Sequence, residues 1–137
     1  MSASKAKVRD LKKEILEYLK KTGPTPRRIL IKDLKIREYQ LTAALPEGVA
    51  VVHFTKGMKK RYSSYDIFGE LVKLGKLLFL RDDPRIVEYV AERIPLRPKT
   101  PHEARALYTN LKEHLGEKVS RAVVEKLGYK YKNKGAV

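Results

Sequence analysis

The sequence predicts an α+β protein, mainly helical, with a small β-hairpin or three-stranded sheet and a C-terminal helix pair. Three observations lead there. Apolar residues recur at helical spacing in several separate segments, a β-branched run at 49–54 and a compact apolar run at 76–81 interrupt them, and Gly and Pro punctuate the joins. With 137 residues and 42% hydrophobic content, the chain is long enough to bury a core of its own.

Residues 5–22, KAKVRDLKKEILEYLKKT, place Val8, Leu11, Ile15, Leu16 and Leu19 on one side, the pattern of an amphipathic helix. Gly23 closes it as a C-terminal cap, and Pro24 and Pro26 delay resumption. Thr25 is suited to cap a second helix with Pro26 at its first position, burying Ile29, Leu30 and Leu34. After a break at Lys35–Ile36, REYQLTAAL forms a third helix that ends at Pro46-Glu47-Gly48. With Leu41 turned to the core, a 100° step per residue puts Arg37, Glu38, Ala44 and Leu45 inward or on the flank, and Tyr39, Gln40, Thr42 and Ala43 outward.

GVAVVHF then reads as a strand, with a turn at Thr55–Lys59 around Gly57 and KRYSSYDIF returning. Phe68–Leu74 reads as a short helix closed by Gly75, and KLLFLR at 76–81 as a buried strand. Asp83 before Pro84 starts a helix with Ile86, Val87, Val90 and Ile94 inward. PLRPKTP, with three prolines, is the best linker. Thr100-Pro101-His102-Glu103 is a capping box opening a helix that buries Ala104, Leu107, Tyr108, Leu111 and Leu115. Gly116 ends it, and a last helix at about 117–127 carries Val119, Val123 and Leu127. The expected organisation is a domain over 5–95, a linker at 96–101, a helix pair at 102–128 and a basic tail at 129–137.

Charge is the strongest chemical signal. Thirty-one Lys and Arg against sixteen Asp and Glu leave +15, and sixteen of the cations fall within residues 1–66. Such a field attracts polyanions, nucleic acid first, because each neutralised phosphate releases condensed counterions. No Cys occurs, which excludes disulfides and thiolate chemistry, and His53, His102 and His114 are too scattered to suggest a metal cage. Apolar runs such as LLFL fall far short of the roughly 20 residues that cross a bilayer, and the first residues lack an apolar signal region, so a cytoplasmic protein without a membrane partner is expected. Gln appears once and Asn twice in a chain rich in Lys, Arg and Glu, a thermophilic bias. Asp82-Asp83 resembles half of an acidic metal site, yet helix capping accounts for Asp83. No phosphate loop, nucleophile elbow or paired-histidine motif is present, so neither catalysis nor a cofactor is expected.

The order helix, helix, turn, helix, hairpin across EILEYLKKTGPTPRRILIKDLKIREYQLTAAL and GVAVVHFTKGMKKRYSSY resembles the winged helix-turn-helix superfamily. That resemblance implies a third helix, about 37–45, lying in the DNA major groove, and a wing, about 49–65, running along phosphates. On it, Arg37, Tyr39, Gln40, Thr42 and Ala43 match the recognition surface, while Lys56, Lys59, Lys60 and Arg61 match the wing, with Tyr62 bracing the hairpin or stacking on bases. Arg37 is suited to the O6 and N7 edge of guanine and Gln40 to the N6 and N7 edge of adenine. Arg27 and Arg28 fall where the second helix of such domains meets the backbone of the nucleic acid. The expected function is a non-enzymatic, double-stranded DNA-binding protein of the nucleoid, a transcriptional regulator of archaeal or viral type, with homodimerisation an option. RNA, ribosomal RNA or single strands are the alternative ligand, since tyrosines interleaved with lysines stack unpaired bases. A protein-interaction adaptor built on the same scaffold is a further alternative.

Overall fold

The computed structural model describes residues 10–54 and 68–129. Within them the chain runs α1 (Leu11–Thr22), β1 (Thr25–Pro26), α2 (Arg27–Leu34), α3 (Glu38–Ala44), β2 (Val49–His53), α4 (Gly69–Leu74), β3 (Lys76–Leu80), α5 (Arg85–Ala91), α6 (Pro101–Leu115) and α7 (Glu117–Lys126). This is an α+β architecture, mostly helical, around one three-stranded antiparallel sheet.

The apolar strand β3 sits in the middle, in the order β1-β3-β2. Val49 faces Leu80 and His53 faces Lys76 across one pair, and Thr25 faces Leu78 across the other. Because side chains alternate along a strand, the sheet has two dressed faces. Leu78 and Val49 point into a cluster with Ile15, Leu19, Leu30, Ile36 and Leu41 from α1–α3. Leu77, Phe79, Val52 and Phe54 point the other way, into a larger cluster with Phe68, Leu71, Ile86, Val90, Leu107, Leu111, Val123 and Leu127. The proline-rich stretch at 95–101 therefore does not divide the packing, since residues on both sides of it share that second core.

Helix ends follow local chemistry. The Asp10 carboxylate accepts the Lys13 N–H at α1, and Gly23, with φ 82°, returns its N–H to Leu19 O. Thr100 Oγ1 accepts the Glu103 N–H and so caps the start of α6, while Glu103 Oε1 accepts the Lys99 N–H just before the cap. Asp83 Oδ1 accepts the Arg85 N–H at the start of α5.

Three expectations change, and a fourth falls largely outside the described residues. Thr25 does not cap α2: its hydroxyl donates to Gly23 O at 2.9 Å, its backbone joins β3, and α2 starts one residue later, at Arg27. Pro26 fits that edge because a residue without an N–H loses no ladder bond there. Ile29 is 41% exposed, because the eight-residue α2 buries a narrow stripe centred on Leu30. Arg37 and Glu38, placed inward or on the flank by the helical wheel, are both exposed; Arg37 is the extended residue preceding α3 (φ −103°, ψ 161°) and lies off that wheel. Finally, β2 pairs along its full length with β3; the expected turn and returning strand lie outside the described residues except for Phe68, which is buried in the larger core.

Candidate nucleic-acid interface

The candidate surface is built on α2 and α3, and their junction decides what it presents. Lys35 ends α2 in the left-handed region (φ 57°, ψ 49°), and the Ile36 N–H reaches back to Ile31 O at 3.0 Å. This six-to-one bond is the Schellman closure, in which a buried apolar residue follows the left-handed one, the place Ile36 takes. The chain then turns immediately into α3, anchored by Leu41 at 3% exposure.

On α3 the outward residues are Arg37, Glu38, Tyr39, Thr42 and Ala43, and Tyr39 stands 69% exposed. Gln40 is half-buried instead. Its Oε1 accepts the Arg37 N–H at 2.8 Å, which satisfies one of the free donors at the helix start. Arg27 and Arg28, expected to face a ligand, each have an intramolecular partner. Arg27 pairs with Glu38 at 3.1 Å, tying the start of α2 to the start of α3. Arg28 donates to Leu74 O at 3.0 Å and to Lys73 O at 3.3 Å, capping the last carbonyls of α4. Lys56, Lys59, Lys60, Arg61 and Tyr62 lie outside the described residues.

The structure thus brings Arg27, Arg37, Tyr39, Gln40 and Thr42 to the two helix starts, and leaves Arg28 bound to the far end of α4. Lys32 and Lys35 also stand exposed at the end of α2, directly before Arg37. The only sequence signal for them is their placement at a helix terminus, where cations are common for dipole reasons alone.

Behind this surface, polar ties hold the helices in place. The Tyr18 hydroxyl of α1 donates to the Asp33 carboxylate of α2. Burial, with the Asp33 hydrogen bond and charge adding to it, pushes the Tyr18 phenol up to about 12. Arg85 Nη2 reaches Lys20 O at 2.9 Å at the end of α1 and Asp83 Oδ2 at 2.9 Å, joining the first helix to the turn after β3. Burial would raise the Asp83 carboxyl, but hydrogen bonds and charge from Arg85 outweigh it and hold the group below its ordinary value.

Elsewhere, a cleft of about 660 Å³ is lined by Gly69, Glu70, Lys73, Glu92, Arg93 and Pro95, where Lys73 pairs with Glu70 at 3.3 Å and Arg93 with Glu92 at 3.7 Å. Among the described residues no group of three His, Asp or Glu side chains is placed to hold a metal ion, and no helix is long and apolar enough to cross a membrane. Comparison of the chain with protein-family models, with curated proteins and with solved structures finds no match.

Proposed function

We propose that this chain is a winged helix-turn-helix protein that binds double-stranded DNA and performs no reaction on it. The observation that carries the reading is topological. Helix, short strand, helix, helix and strand follow one another through α1, β1, α2, α3 and β2, and β3, which comes after α4, closes the sheet in the order β1-β3-β2 with α3 leading into its edge strand. Such an arrangement offers α3 as the groove-entering helix and the connection between β2 and β3 as the wing.

Charge supports the same reading. The chain carries +15, and Lys32, Lys35 and Arg37 line the approach to α3 with their side chains exposed. Within this proposal Arg37, Tyr39 and Thr42 contact the groove and its backbone, while Lys56, Lys59, Lys60 and Arg61 neutralise phosphates. The protein acts in the cytoplasm on the nucleoid. RNA or single strands remain a second reading, favoured by one feature: the Tyr39 ring, at 69% exposure, is free to stack on an unpaired base.

Competition between duplex DNA, single-stranded DNA and structured RNA, at low and moderate salt, tests the proposal. Duplex DNA is expected to win, with affinity falling steeply as salt rises. Loss to either competitor replaces it with the second reading. Changing Lys59, Lys60 and Arg61 together to Ala is expected to weaken all duplexes and to flatten the salt dependence by about 0.9 logarithmic units per phosphate contact removed. An unchanged slope takes the wing out of the mechanism.

A further inference from the structure

We infer that α3 engages duplex DNA with little regard to base sequence, so that the partner is duplex of any composition rather than a defined operator. The inference rests on the duplex-binding reading and concerns what the same surface can discriminate. Reading a base edge requires a side chain whose donors and acceptors are uncommitted and can lie in the plane of the base.

The side chains of α3 that could do so are already engaged within the protein. Gln40, the only glutamine in the chain, would need both its oxygen and its nitrogen for adenine, but its Oε1 is turned back to the Arg37 N–H at 2.8 Å. Swinging it outward would strip the start of α3 of that bond in a helix of only seven residues. Glu38, the one carboxylate on α3 and so its strongest acceptor for cytosine N4, pairs with Arg27 at 3.1 Å. Thr42 and Ala43 offer a hydroxyl and methyl groups, which discriminate weakly, and Tyr39 offers a ring that any sequence accepts. Arg37 alone keeps a guanidinium suited to guanine. Because it precedes the helix rather than riding on it, it can equally take a phosphate.

Selection of the full-length protein against a pool of random-sequence duplexes tests this. The enriched duplexes are expected to bind at most about tenfold tighter than the starting pool, the scale of a single good base contact, whereas site-specific proteins separate specific from non-specific sites by about a thousandfold or more. Enrichment on that larger scale overturns the inference while leaving duplex binding intact. Failure to bind any duplex at low salt overturns both together. Gln40→Glu gives an independent check, because the carboxylate still accepts the Arg37 N–H but cannot serve adenine. It is expected to keep the fold and to weaken all duplexes by the same factor. A change in which base is preferred at any position overturns the inference.

Discussion

The two faces of the sheet are covered in different ways. On the face of Leu78 and Val49 the core is smaller, and polar ties, Tyr18 to Asp33, Arg27 to Glu38 and Arg85 to Lys20 O, add to its apolar contacts. On the face of Leu77 and Phe79, α4–α7 build a larger apolar core with few polar bonds across it. The difference separates two duties. The thick side supplies most of the buried apolar side chains and hence most of the stability, while the thin side keeps its helices short and its side chains exposed, the form that the proposed duplex-binding surface would need.

The most severe way to break this comparison is to remove the thick side. A chain ending at Pro95 would strip α6 and α7, with Leu107, Leu111, Val123 and Leu127, from the core that Leu77, Phe79, Val52 and Phe54 enter, and it is expected to lose cooperative unfolding altogether. A fragment with a sharp thermal transition would show that the thin side folds unaided. Next in size, Leu107→Ala, at a fully buried position, is expected to cost about 2–5 kcal/mol in denaturant titrations, and Leu30→Ala on the thin side to fall at the lower end of that range, because its half-buried neighbours Ile31 and Leu34 can relax into the space. Equal costs would mean that the two cores are equally rigid. Thr100→Ala removes the cap of α6 and is expected to cost about 1 kcal/mol without altering nucleic-acid affinity.

The smallest effect lies in a polar tie of the thin side. Tyr18→Phe is expected to cost about 0.5 kcal/mol near neutral pH, given how exposed that hydrogen bond is. The sign with pH follows from the raised phenol. Its contribution is whole below the ordinary tyrosine value of 10.0 and is lost as pH rises through about 12, so wild type and variant should converge in stability over that interval. Parallel pH profiles would show that Asp33 does not hold the group in the folded state.

Periodicity made the elements legible: the stripes of α1, α5 and α6, the Thr100 cap and the central strand at 76–80 all follow from local pattern. What local pattern does not carry is partnership. Nothing in GVAVVHF says that KLLFL, some twenty residues on, is a mate for it, because the alternation fits a pairing with any neighbouring strand. Thr25 and Pro26 look like a helix start for the same reason, their alternative use depending on Leu77 and Leu78. At the candidate surface, residue types identified Arg27, Arg28 and Gln40 as contact groups, but charge and hydrogen-bonding capacity do not reveal that Glu38, the end of α4 and the Arg37 N–H already engage them.

Lys35 offers an experimental handle on that surface. An ordinary side chain in the left-handed region carries a strain of roughly 1–2 kcal/mol that glycine escapes, so Lys35→Gly deletes a cation while leaving the turn free to keep its shape. One substitution thus removes a charge and a strain together at the joint between α2 and α3, and the two changes are read by different measurements, affinity and melting temperature. A variant that melts higher yet binds DNA more weakly would identify this residue as one whose charge is kept at a standing conformational cost.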